Sequence, residues 1–291
     1  MQHSVENKKL VLGTSMWGWT TPKTCCFKML DSFYAAGYRS IDIAPNYPIN
    51  KDPKCFRLSE SILIEWINTH KITDLNIIAK IGSVDNSGSP NVNLTPSFMW
   101  INYDYYSGTF GKNLDTLMIH WDNRESPELI EPTISVLQDW TQSNIPIGLS
   151  GINKPEMYAD FIKNHPSKIV VELKHNYFTS QFDQYKPYKN KLCFLTYGAN
   201  AGGVNLDNIY KHDNSITKRG VDPILFNKKL STIKETLKTT HPNTTLTDHH
   251  LRSFLLQYVL TTPWVSGVIL GPSSNLQLEN SLTIFKELCN E

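Results

Sequence analysis

The chain has 291 residues, 40% of them hydrophobic, and sets 28 Lys and Arg against 27 Asp and Glu for a formal charge of +1. That length supports a sizeable core, burying about three quarters of the surface an unfolded chain exposes, without the disulfide staples of a small secreted domain. The near-zero charge gives no broad attraction for nucleic acid, and no run approaches the ~18 apolar residues of a membrane span. The first residues lack the apolar run of a secretory signal, and Cys25, Cys26, Cys55, Cys193 and Cys289 follow no metal or redox spacing. The expectation is a soluble cytoplasmic protein with structural thiols and no metal.

Short β-rich runs alternate with longer segments of helical periodicity, the order of an α/β sheet. Residues 12–18 read as a first strand, 24–36 as a helix stopped by Gly37, and 40–44 as a second strand. A helix over 58–68 sets Leu58, Ile62 and Trp66 on one face, and 76–82 reads as a third strand. A stretch over 84–96 rich in Pro, Gly, Asn and Ser, then a further helix, precede a fourth strand at 114–120. Next come a helix over 127–143 opened by Pro127, a strand at 145–150, a helix at 155–164 and a strand at 169–175. A short helix over 180–189 leads to a seventh strand at 192–197.

Residues 199–222, rich in Gly and Asn, read as a surface or active-site loop. Helices over 223–238 and along Leu251, Phe254, Leu255 and Tyr258 lead to an eighth strand at 265–270. Leu278, Leu282, Phe285 and Cys289 form the last helix face. Eight strands with helices between them predict a (β/α)8 TIM barrel, one domain over 1–291, in preference to an open α/β sheet with extra helices. Closure of the sheet covers both its edges.

In such a barrel the loops after the carboxyl ends of the strands converge on the active site. Asp42 and Tyr47 follow strand two, Lys80 ends strand three and His120 ends strand four. A Tyr phenol donates a proton to a carbonyl oxygen if its pKa is lowered. Lys80 would supply the positive potential, Asp42 would hold that ammonium, and His120 would orient the substrate oxygen. These groups bring acid chemistry and no reductant, which a reduced nicotinamide supplies. Taken singly, each has a structural alternative: an ion pair for Asp42 and Lys80, a pocket cap for Tyr47, a strand-end hydrogen bond for His120.

The ordered motifs Leu12-Gly13-Thr14, Trp17-Gly18, Ala35-Ala36-Gly37-Tyr38-Arg39-Ser40-Ile41-Asp42, Ser59-Glu60, Lys80, Leu117-Met118-Ile119-His120-Trp121 and Ile147-Gly148-Leu149-Ser150 resemble those of the aldo-keto reductase family. The resemblance spans nearly the whole chain. It implies a barrel that uses NADP or NAD to reduce an aldehyde or ketone, so the partner is a small carbonyl substrate. It makes Tyr47 the proton donor, Asp42 and Lys80 its electrostatic support, and His120 the carbonyl-orienting residue. Tyr197, beside the run Gly198 to Gly203, matches the aromatic that stacks on nicotinamide.

Ser150 and Glu172 take the carboxamide positions with two departures: Gly151 stands where the family usually has Asn, and Glu172 where it usually has Gln. A buried Glu172 carboxylate needs charge compensation. Gly271, Ser273, Ser274, Asn275 and Asn280 resemble the loop and helix start that hold the adenosine phosphate and adenine, and the usual basic residue for a 2'-phosphate is not evident. Trp17, Trp19 and Trp121 are candidates to line the substrate mouth or to pack on the rim. Lys51, Lys54 and Arg57 are candidates to attract an anionic substrate or to form an ordinary solvated loop. Gly151 and Glu172 keep an alternative open, a nicotinamide-binding regulatory subunit or a catalytically inactive barrel.

Overall fold

The structure is a computed structural model that describes residues 5–207 and 222–290. Its parallel strands close into a barrel in sequence order. They are β1 (Lys9–Gly13), β2 (Ser40–Ile43), β3 (Asn76–Ile81), β4 (Leu114–Asp122), β5 (Ile147–Ile152), β6 (Ile169–Lys174), β7 (Leu192–Tyr197) and β8 (Val265–Leu270). Between and after them run α1 (Lys23–Ala35), α2 (Leu58–His70), α3 (Pro96–Phe110), α4 (Pro127–Gln142), α5 (Ala159–Asn164), α6 (Pro223–Thr240), α7 (Asp248–Leu260) and α8 (Asn275–Asn290). The predicted (β/α)8 barrel is therefore the observed fold. Among the described residues, no helix is long and apolar enough to cross a membrane.

Alternation along the strands sorts the core into two shells. Outward Ile41, Ile77, Leu117, Leu149 and Val171 join the main core with Phe33 and Trp66 of the helices. Inward Val11, Ile78, Met118, Leu195 and Ile269 form a separate cluster inside the barrel. Burial of each such side chain contributes about 1.5–3 kcal/mol. In α1, Cys26, Met29, Leu30 and Phe33 are buried at helical spacing, which is why this segment packs as a helix against the strands.

Several boundaries differ from the sequence reading for local reasons. The first strand spans Lys9–Gly13 instead of 12–18, because a turn in which the Trp17 amide donates to the Thr14 carbonyl follows it. Strand five begins at Ile147, since the Ile145 amide donates to the Trp140 carbonyl and closes α4. The helix expected at 155–164 splits into a 3-10 turn, Pro155–Tyr158, and α5. The one expected at 180–189 is a 3-10 segment, Phe182–Lys191, with Pro187 inside it. Of the loop expected over 199–222, residues 208–221 lie outside the described residues.

Gly267 marks the closure of β8 on β1. It pairs with Lys9, and a Cβ there would lie 2.4 Å from the Lys9 carbonyl oxygen and 2.9 Å from Leu195 Cδ2. Gly267→Ala is expected to lower the unfolding free energy by about 2–3 kcal/mol, read as a lower urea midpoint at constant slope. An unchanged midpoint would show that the closing strands tolerate the methyl group.

Candidate active site

Strand register assembles the polar cluster. His120 of β4 pairs with Ser150 of β5, and Ser150 with Glu172 of β6. Lys80 pairs with Met118, and Asp42 with Ile78. Since Met118 and Ile78 belong to the inner cluster, the period of two turns these polar residues into the barrel as well.

Tyr47 comes from the loop after β2, which the first turn of α2 holds in place. The Arg57 amide donates to the Pro45 carbonyl, and the Ser59 amide donates to the Tyr47 carbonyl at 3.2 Å. The Ser59 hydroxyl lies 3.0 Å from the Thr14 carbonyl and 3.1 Å from that of Trp17, while Thr14 Oγ1 donates to the Asp42 carbonyl. The buried Glu60 carboxylate accepts from Tyr106 Oη at 2.6 Å and from Arg57 at 2.8 Å. The Ser59-Glu60 motif thus fastens the Tyr47 loop to the strand ends. Arg57 bonds Glu60 and Asn102, which ties the head of α2 to α3.

Lys80 is the hub. Its Nζ contacts Asp42 Oδ1, lies 3.1 Å from Glu172 Oε2, and donates to Tyr47 Oη at 3.2 Å. Three N–H groups meet three acceptors. Burial opposes the ammonium, yet Asp42 and Glu172 outweigh it and hold Lys80 protonated well above its usual range. The Asp42 carboxyl is raised by burial against the pull of Lys80.

The Tyr47 phenol departs from the sequence expectation. Burial raises its pKa, Lys80 lowers it, and Asp42 and Glu172 raise it further, with a net upward shift. It is a neutral phenol that keeps its proton, where the sequence reading required a lowered value. His120 is held well below its usual range by burial and then by Lys80, so its imidazole is neutral. Its ring meets that of Tyr47 edge-on at 5.9 Å, and its Nδ1 lies 3.5 Å from Ser83 Oγ.

Gly151 has a structural cause. Its φ is +65°, and a Cβ would lie 2.4 Å from Cδ1 of Trp121, whose ring stacks on His120 at 4.4 Å. The indole occupies the space that an Asn side chain would need. Trp19 is 49% exposed, whereas Trp17 is fully buried, so Trp17 packs in the core and does not line the mouth.

A groove runs between the Asn200 to Val204 turn, Gly271 and the start of α8, and Arg252 of α7 lines it. The sequence reading missed Arg252. The available signal was a cation on the helix stripe that also carries Leu256 and Val259, both buried. In the groove, the Ser273 amide and hydroxyl both donate to Gln277 Oε1, at 2.9 and 3.0 Å. The Ser274 hydroxyl accepts from the Gln277 amide, and Asn275 Nδ2 donates to Glu279. Asn275 Oδ1 is buried without a partner, Asn280 is half-buried on α8, and Tyr197 is 37% exposed at the end of β7.

Glu172 is 2% exposed, and burial, then Asp42, push its carboxyl up to about 8 against the pull of Lys80. With an ordinary value of 4.5 in the unfolded chain, the folded state alone holds this proton between the two values, so stability falls as pH rises through that window. Glu172→Gln removes the linkage. The Tm advantage of the variant over the parent is expected to grow by about 3 °C or more between acid and alkaline buffer. A gap that stays constant in calorimetry would refute the shift.

The sequence pattern of the Aldo/keto reductase family matches residues 9–291. Among solved structures, the fold is similar to that of a glycerol dehydrogenase from Gluconobacter oxydans, with a TM-score of 0.70 and 19% identity, covering 95% of this chain and 86% of that chain. It is also similar to an aldo-keto reductase from Bacillus halodurans in its holo form, with a TM-score of 0.68 and 16% identity, covering 97% of this chain and 90% of that chain. At those identities the likeness is one of fold. No curated protein matches the sequence. On the match along nearly its whole length, the chain belongs to the aldo/keto reductase family of oxidoreductases.

Proposed function

We propose that the protein reduces an aldehyde or ketone to an alcohol, using NADP or NAD, with Tyr47 as the proton donor. The observation that carries this reading is the Lys80 hub: Tyr47 Oη accepts from Lys80 at 3.2 Å, which leaves the phenol's own proton to be donated. When bound, the reduced nicotinamide supplies a hydride to the carbonyl carbon. As charge builds on the carbonyl oxygen, Tyr47 releases its proton to it. Lys80 stabilises the phenolate left behind, and Asp42 keeps Lys80 charged. Neutral His120 orients the oxygen without setting a second cation beside Lys80. The reverse reaction uses the phenolate to accept an alcohol proton. The complete set of four groups favours turnover over a binding-only regulatory role.

The residues fit a nicotinamide nucleotide on structural grounds. Glu172 Oε1 is a buried acceptor with no partner, suited to a carboxamide NH2, and Ser150 Oγ lies 3.4 Å from Glu172 Oε2. The partly exposed Tyr197 ring offers a stacking face. Gly271, Ser273, Ser274, Asn275 and Asn280 would hold the adenosine phosphate and adenine, with phosphate taking the Ser273 donors from Gln277. Arg252 would supply the positive charge in that groove. All five cysteines are free thiols, which fits the reducing cytoplasm.

A carbonyl panel run separately with NADPH and NADH, with product identification, tests the reading. The expected result is nucleotide oxidation matched one for one by alcohol formed. Tyr47→Phe should keep the fold and slow the chemical step roughly 100-fold or more. Near-parental turnover by that variant would reject the assigned donor. Arg252→Ala should weaken nucleotide binding about tenfold, read by calorimetry, as expected for the loss of one charge-assisted contact. Unchanged affinity would remove Arg252 from the phosphate site.

A further inference from the structure

We propose that the Glu172 carboxylate selects the redox state of the bound nucleotide, holding the oxidised, cationic nicotinamide more tightly than the reduced, neutral one. This rests on the nicotinamide reading above. Glu172 sits inside the barrel beside Ser150, with Oε2 at 3.1 Å from Lys80 and Oε1 buried without a partner. The groups facing it are Asp42 and Tyr47 from β2 and its loop, Lys80 from β3, Ser150 from β5 and the apolar Leu195 from β7, with His120 one strand further on β4 beside Ser150.

The charges do not balance. Tyr47 and His120 are neutral, so Lys80 faces two carboxyls alone. An amide at this position would leave a neutral Asp42–Lys80 pair, whereas an ionised Glu172 leaves the buried cluster one negative charge in excess. A cationic nicotinamide ring whose carboxamide reaches Oε1 brings the missing charge, and the reduced ring does not. Low dielectric strengthens that preference. When Glu172 holds a proton the excess vanishes, so the preference grows as pH rises past its titration, at about 8.

Binding linkage gives the consequence for the reaction. With the nucleotide bound, its hydride would go to the carbonyl carbon and the Tyr47 proton to the oxygen, leaving an alcohol and the oxidised nucleotide. Tighter hold on the oxidised form draws this transfer toward alcohol on the protein and slows release of the oxidised nucleotide.

The test is a titration of the full chain, followed by tryptophan fluorescence, with NADP+ and NADPH and in parallel NAD+ and NADH. Buffers near about pH 6.5 and about pH 9.5 bracket the titration. In the parent, the ratio of reduced to oxidised dissociation constants is expected to rise about tenfold or more toward alkaline pH, the size of a one-unit coupling. The adenosine phosphate is common to both forms and cancels in the ratio. In Glu172→Gln the ratio should be flat and should lie below that of the parent at the alkaline end.

A flat ratio in the parent, or an equal rise in the variant, overturns the inference while leaving the nicotinamide reading intact. Failure of the parent to bind any of the four nucleotides overturns both. The parent series needs no substitution, so the inference stays falsifiable even if Glu172→Gln fails to fold.

Discussion

Lys80 is 1% exposed, and its charge survives burial because every N–H of the ammonium meets an acceptor. The acceptors come from three separate elements: Asp42 from β2, Tyr47 from the following loop and Glu172 from β6. Only a closed barrel brings β2, β3 and β6 side chains to one interior point, so the charged hub depends on barrel closure. Removing one of those partners would leave an uncompensated charge at the barrel centre, at a cost of several kcal/mol.

The supports of this hub extend outward in a connected series. Ser59 and Arg57 at the head of α2 hold the Tyr47 loop by backbone hydrogen bonds, and Glu60 joins the same helix to Tyr106 on α3. The motif residues of α2 therefore act on the position of a phenol they do not touch with their own side chains. On the other side, Trp121 stacks on His120 and fills the space over Gly151. Glycine at that position and tryptophan one strand away are one packing solution, in which an indole face replaces a side-chain amide beside the imidazole.

Much of this was legible in the chain itself. Short β-rich apolar runs between helical segments marked the eight strands, since a strand inside a barrel must bury both faces and helices must cover the outer one. Boundaries slipped where apolar content misled: Met16 and Trp17 extended the first strand on paper, but a turn ends it and Trp17 reaches the core from the loop. Glu172 was legible as a departure, while its contact with Lys80 was not, because the two sit on non-adjacent strands and meet only across the closed barrel's interior. Arg252 escaped notice because a single cation on an apolar helix stripe carries no motif.

By itself, the order of residues determined the eight-fold βα alternation, the placement of Asp42, Lys80 and His120 at strand ends, and the likeness to a family of reductases. These are local properties, since strand periodicity and motif spacing are written in neighbouring residues. Tertiary structure alone decided the protonation of the site: a neutral Tyr47 and His120 around a charged Lys80. Burial and the distance between charges set those states, and both arise only when strands remote in sequence close around the same interior.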